Sequence, residues 1–424
     1  MSTETTPTPA PETTADSEDY SLGRPPENLP CIEPAPASRK TGLEAVKIVN
    51  VDLSKKKERA LFLDMADPIY AGDPNYISAL RMHFMGFLDP AKNPAFEHLD
   101  YKAMFAMKDG KPVARIVAHI DRDYNAFHET KSGFFGFFES IDDETIAHAL
   151  LDAGCSWLRE QGMVEVFGPM NFTTNHQCGM LVENFDRPPY VENTYNPPYY
   201  DRLLATYGFG KAKDLLIWMI DTKDGMDTPR RKRIKKIADR IAKREGVTVR
   251  PVNLKDAEAE IKRMYDMYVA AWGKNWGFVP PSMKEFQFLM ADLKTVAIPE
   301  LVLYIEHEGQ PVAFTATLPN VNEHMPKNGR LFPTNWLKML NLKKTKTGRL
   351  ITLGTIPKFR KRGLESIMFS ETFLAAQKLG WTEGEVGWTL EDNDMVNRAI
   401  ESMDGTLDRR YRIYGLELTP KAEA

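Results

Sequence analysis

The stretch TLGTIPKFRKRGLESIMFSETFLAAQKLG, residues 352–380, decides how this chain is read. A β-branched run (Leu350, Ile351, Thr352) leads toward a basic turn holding one glycine (Arg360, Lys361, Arg362, Gly363), and a helix-length segment follows at once. The first N–H groups of a helix lack intrahelical partners and sit at the positive end of its dipole, so such a turn can hold a phosphate. An ordinary solvated turn has the same local appearance, and the neighbouring segments separate the two readings.

After the turn come the helix, a strand-like run EGEVGW (383–388), and a polar turn with a short helix, EDNDMVNRAIESM (391–403). This order, with Arg-x-x-Gly before the helix, resembles the GNAT acyltransferase superfamily. Arg360 and Gly363 match that family's turn, while its last small residue is Glu365 here. The resemblance implies acyl-CoA as co-substrate, with Arg360, Lys361, Arg362, Gly363 and Leu364 at its pyrophosphate and Asn393 as a further polar contact. The tyrosine that many of these enzymes use as general acid would fall near Met403, leaving Tyr411 and Tyr414 as substitutes.

At 424 residues the chain is long enough for two cores. With 42% hydrophobic and 27% charged residues and a net charge of −4, it reads as globular, and a dedicated nucleic-acid binder is not expected. Cys31, Cys155 and Cys178 are far apart, fit no metal spacing and read as free thiols in a reducing, cytoplasmic setting. No metal site is expected. Residues 1–42, rich in Thr, Pro, Glu and Ser, read as a disordered tail, and no apolar run is long enough to span a membrane.

Two copies of one α/β unit follow. VKIVNVDL (46–53) alternates like a strand, and YKAMFAMKDGKPVARIVAHID (101–121) reads as a hairpin turning at Asp109 and Gly110. DDETIAHALLDAGCSWLREQG (142–162) has apolar residues at helical spacing, an acidic start and a glycine stop. DGKPVARIVAHI, beginning at Asp109, matches EGQPVAFTATLP, beginning at Glu308, and LREQG (158–162) matches AQKLG (376–380). The boundaries expected are 43–222 for the first GNAT-like domain, 223–246 for a basic helical linker, 247–418 for the second domain and 419–424 for a tail. Each domain should carry a mixed sheet.

Where the second copy has its basic turn, the first has acidic SIDDET (140–145). Coenzyme A is therefore assigned to the second copy and the acceptor surface to the first. The linker PRRKRIKKIADRIAKREG (229–246) reads either as a solvated bridging helix or as a basic face for anionic lipid or CoA phosphates. An insertion, LFPTNWLKMLNLKKTKTGR (331–349), mixes Trp336 and leucines with lysines, as an interfacial element or a domain contact would. YISALRMHFMGFLDP (76–90) suits core packing or a wall for an acyl chain.

The loop NFTTNHQCGMLVENFDRPPYVENTYNPPYY (171–200) is long for a structureless connection, which points to a binding loop or lid. Aminolysis of a thioester needs a deprotonated amine, a stabilised oxyanion and a protonated leaving thiolate. His176, Glu183 and Glu139 are the candidate bases, and Tyr199 or Tyr200 can line the site or donate a proton. The segments FFGFFES, VFGPMNFTTNHQCGMLVENFDRPP, YNPPYY and RRYRIYGLEL together resemble bacterial tandem-GNAT proteins that include the bacterial ceramide synthases, over residues 46–418. That resemblance implies N-acylation of a long-chain sphingoid base by a fatty acyl-CoA, with peripheral contact to the inner membrane surface. Two other classes fit the same fold: a Fem-type transferase using aminoacyl-tRNA, and a non-catalytic binder of CoA or lipid.

Overall fold

The computed structural model describes residues 31–32, 46–78, 80–331 and 344–418. The first half comprises β1 (Cys31–Ile32), β2 (Lys47–Val51), α1 (Lys56–Asp64), α2 (Arg81–Phe87), β3 (Leu99–Lys108), β4 (Lys111–Asp121), α3 (Arg122–His128), β5 (Ser132–Ser140), α4 (Glu144–Glu160), β6 (Glu165–Gly168), β7 (Met180–Leu181), α5 (Tyr199–Tyr207) and β8 (Gly210–Asp221). After α6 (Pro229–Glu245), the second half runs β9 (Val247–Pro251), α7 (Ala257–Trp272), α8 (Met283–Val296), β10 (Val302–His307), β11 (Gln310–Pro319), β12 (Thr347–Thr355), α9 (Leu364–Lys378), β13 (Glu383–Leu390), α10 (Asp394–Ser402) and β14 (Thr406–Leu418).

Local chemistry explains these elements. Asp143 caps α4 by accepting from the N–H groups of Thr145 and Ile146, and the helix buries Ile146, Ala147, Leu150, Leu151 and Leu158 against the sheet. Both hairpins turn through two left-handed residues, Asp109 (φ 50°) with Gly110 (φ 74°) and Glu308 (φ 50°) with Gly309 (φ 75°). The ladder of each slips just before its turn, between Ala106 and Met107 in one and between Ile305 and Glu306 in the other. The repeat visible in the sequence is thus a repeat of backbone detail.

The halves share one mixed sheet, ordered β2-β3-β4-β5-β6-β14-β8-β13-β12-β11-β10-β9. The closing strands are exchanged: β14, from the second half, pairs with β6, while β8, from the first, pairs with β13. Boundaries at 222 and 247 follow the chain but not the sheet. Buried Phe134, Phe167, Leu215, Ile217, Tyr411 and Ile413, drawn from both halves, make the core at the exchange.

Two further expectations change. Within the stretch expected to be a tail, Cys31–Ile32 forms a strand parallel to β14; the rest of 1–42 lies outside the described residues. The linker is an integral helix: α6 packs Ala238 and Ile241 against Leu364, Ile367 and Met368 of α9, and buried Arg231 donates to the carbonyls of Asp221, Gly225 and Met403. Most of the insertion, 332–343, lies outside the described residues. The residues just before it dock on the first half, where Lys327 and Gly329 carbonyls accept from Ser78 and Arg81 N–H groups.

Candidate active site

Both halves open the sheet at the same place. β12 and β13 pair only from Thr347–Glu383 to Leu350–Val386; beyond that β12 stays with β11 and β13 with β8, leaving a wedge. In the first half β5 and β6 part after Phe134–Phe167, but the chain folds back into the gap. Met170 N–H donates to Phe135 O at 2.8 Å and Asn171 Oδ1 accepts from Phe137 N–H at 2.8 Å. A Cβ on Gly136 would meet the Met170 carbonyl at 1.9 Å, so only glycine admits this closure. The first wedge is filled, and the second stays open.

Beside the open wedge lies a cavity of about 240 Å³ between α7, α8 and the sheet. Its apolar wall includes Met264, Phe286, Met290, Phe314, Leu318 and Ile351, with Trp388 of β13 at the wedge. The first half closes it: Phe84 and Phe87 of α2 and the 171–177 loop face into it. That loop is fastened across the halves. Thr174 Oγ1 donates to Gly277 O at 2.7 Å, Asn175 Nδ2 to Val279 O at 2.9 Å, and Tyr268 of α7 to Asn175 Oδ1 at 2.8 Å. His119 Nε2 lies 2.7 Å from Phe172 O.

His176 reaches the cavity wall edge-on to Phe87. Its Nδ1 accepts from Thr173 N–H at 3.4 Å and lies 3.1 Å from Thr173 Oγ1, whose lone pair already takes Asn175 N–H. The hydroxyl proton is therefore free to point at Nδ1, which places the ring proton on Nε2. Burial lowers this imidazole to about 4, so it is neutral near pH 7. A neutral ring protonated on Nε2 carries a hydrogen-bond donor at the cavity wall.

At the basic turn, Gly363 is left-handed (φ 84°) and caps α9; a Cβ there would meet Ile241 Cδ1 at 2.6 Å. Arg360 donates to Ala271 O at 2.7 Å, Arg362 pairs with Glu245 at 2.8 Å and stacks on Phe359, and Arg244 holds the Arg362 carbonyl at 2.9 Å. These contacts fix the turn from within the chain. Glu365 is buried, and burial raises its carboxyl, which favours the uncharged form.

The chain is 32% identical to the bacterial ceramide synthase of Caulobacter vibrioides, over 86% of this chain and 97% of that protein. It belongs to the bacterial ceramide synthase family. It is also 30% identical to protein YghO of Escherichia coli, over 87% of this chain and 94% of the relative. No protein-family model matches the chain. Among solved structures, a tandem GNAT protein from the clavulanic acid biosynthesis pathway aligns with 89% of this chain and 100% of its own at a TM-score of 0.53 and 10% identity, which places the fold as tandem GNAT. The protein is an acyltransferase.

The fold of this acyltransferase scatters the other residues chosen from its sequence. Glu183 is half-exposed, pairs with Arg410 at 3.1 Å and lies outside the cavity wall. Glu139 is largely but not fully buried in the first half, where it accepts from Tyr70 and Tyr200 hydroxyls at 2.8 and 2.7 Å and faces Arg115. Burial raises its carboxyl against those partners. Tyr199 donates to Ser140 O at 2.8 Å. Neither Glu139 nor Tyr199 lines the cavity. Tyr411 donates to Thr194 O, Tyr414 to Asp201, and Met403 is core, so none of the three faces it. Leu364 packs its side chain in the α6–α9 core, and Asn393 caps α10 by accepting from Val396 N–H at 3.4 Å.

Glu192, Tyr268 and Trp388 line the cavity and were not singled out from the sequence. Glu192 sat inside the loop already noted, with no spacing to mark it. Cys155 and Cys178 are buried free thiols, raised by burial to about 11 and 12. Among the described residues no cluster of three His, Cys, Asp or Glu suits a metal, and no helix is long and apolar enough to cross a membrane.

Proposed function

We propose that this protein transfers a fatty acyl group from acyl-CoA to the primary amine of a long-chain sphingoid base. The observation that carries the reading is the apolar cavity beside the open β12–β13 wedge, walled by Met264, Phe286 and Met290. Each methylene sheltered there contributes about 0.8 kcal/mol, so the cavity favours substrates with long alkyl chains. The family membership supports the same acceptor.

In this reading the turn before α9 receives the CoA pyrophosphate through the N-terminal N–H groups of the helix and the charges of Arg360, Lys361 and Arg362. Leu364 contributes its backbone and Asn393 a polar contact at the end of β13. His176 Nε2–H donates to the thioester oxygen as negative charge develops on it. Exposed Lys232, Arg233, Lys236, Arg240 and Lys243 of α6 suit peripheral docking on anionic lipid, where such amines partition.

Purified protein incubated with palmitoyl-CoA, with and without sphinganine, tests this by thiol release and mass spectrometry. Amine-dependent release with an amide product is expected. No release from any acyl-CoA by folded protein would overturn it and favour an aminoacyl-tRNA donor or a binding role.

A further inference from the structure

Among the described residues two carboxylates line the cavity, Glu192 and Glu260. Glu260 is committed elsewhere: it is buried and bonded to Arg250 at 3.1 Å and Arg263 at 2.8 Å. Glu192 is exposed at the mouth, where its carboxylate accepts from Gln177 Nε2 at 3.4 Å. It also has a left-handed backbone (φ 61°), which a non-glycine residue holds only when its surroundings enforce it.

The enforcement is visible on both sides of it. Val191 N–H donates to Asn320 Oδ1 at 3.1 Å, and Val191 O accepts from Arg349 Nη1 at 2.8 Å. Asn193 Nδ2 donates to Glu385 Oε1 at 2.5 Å, and Asn193 N–H to Tyr190 O at 3.1 Å. Arg349 and Glu385 form a sealed ion pair at 3.1 Å within the second half. A loop of the first half is thus clamped at the residues before and after Glu192 by the buried charges of the second, and Glu192 is held at the polar end of an apolar cavity.

We propose that Glu192 binds the acceptor's primary ammonium and takes its proton. This rests on the amine N-acyltransferase reading above. The ammonium gives one proton to the Glu192 carboxylate, and the neutral nitrogen forms a C–N bond to the thioester carbonyl. When the C–S bond breaks, the second proton leaves the nitrogen and ends on the departing thiolate, giving amide and free CoA thiol. Glu192 then returns its proton to water, which its exposure permits. Among the described residues the other titratable groups facing the cavity are His83, His176, Glu260, Tyr268, Lys294 and Arg349.

The test compares the wild type, Glu192→Gln and Glu192→Asp with palmitoyl-CoA and sphinganine across pH 6–10. Glu192→Gln should lower kcat/KM for the amine about 100-fold at neutral pH and recover as the free amine fraction rises. Glu192→Asp should retain part of the activity, and palmitoyl-CoA affinity should stay unchanged in both. Sphinganine binding should weaken in Glu192→Gln, while binding of hexadecanol, with no ammonium, should not. An unchanged rate and pH profile, or equal loss for amine and alcohol, overturns the assignment while leaving the acyltransferase reading intact. Failure of the wild type to acylate any amine overturns both.

Discussion

His98 joins the two halves through Glu285: its Nε2 lies 2.9 Å from Glu285 Oε1 while its Nδ1 lies 2.8 Å from Asp121 Oδ1. Each partner has a second task, since Asp121 caps α3 and Glu285 closes the capping box of α8. Burial disfavours the imidazolium, but the two carboxylates outweigh burial and raise His98 to about 10.

The pH dependence of stability follows. A histidine raised from 6.5 to about 10 gives its full stabilisation below pH 6.5 and loses it as pH climbs toward 10. His119 and His176 are both lowered to about 4 by burial, so they take stability away as pH falls from 6.5 toward 4. Melting temperature against pH should peak near neutrality, and His98→Gln should flatten the alkaline side. An alkaline side unchanged by that substitution would show that the bridge is not charged.

Arg349→Met should cost about 3–5 kcal/mol, because it leaves the carboxylate of Glu385 buried without its cation. Adding Glu385→Leu should restore much of the stability measured by denaturant unfolding. It should not restore turnover, since the Val191 carbonyl and the Asn193 side chain stay without their partners and Glu192 loses its placement. Full activity in the double variant would sever the link between ion pair and site.

Gly363→Val should weaken CoA binding about tenfold or more, the worth of one charge-assisted hydrogen bond. A β-branched residue is strained at φ 84° and would press on Ile241, shifting the first N–H groups of α9. Calorimetric titration with CoA, checked against the melting temperature, reads this directly; an unaltered affinity would move the pyrophosphate elsewhere.

His176→Ala should lower kcat about 100- to 1,000-fold, as loss of an oxyanion donor does, and His176→Gln, which still donates, should lose less. Because the ring is neutral above about pH 4, the rate profile should show no inflection from it near 6.5. If such an inflection vanished in His176→Gln, the ring would be a base after all.

Met290→Trp should fill part of the cavity and shift preference toward shorter chains. Each methylene excluded forfeits about 0.8 kcal/mol of transfer energy, so the longest substrates suffer most. A series from octanoyl- to stearoyl-CoA measures it, and a uniform loss across the series would place the chain outside this cavity.

Short-range chemistry made the units readable from sequence. The Asp109–Gly110 and Glu308–Gly309 turns, the capped amphipathic α4 and the Gly363 turn before α9 are each specified within a few residues, by positive φ, helical periodicity and unpaired N–H groups. Residue type alone also brought His176 and its loop into view, but not its tautomer, which depends on how Thr173 is bonded. Only the tertiary structure decided that β8 and β14 change places, that the first wedge is filled and the second open, and that Glu192 rather than Glu183 meets the cavity. Alternation along a strand tells which face a residue takes but not which strand lies beside it. A carboxylate's place is likewise set by partners such as Arg349 and Glu385, more than 150 residues away along the chain.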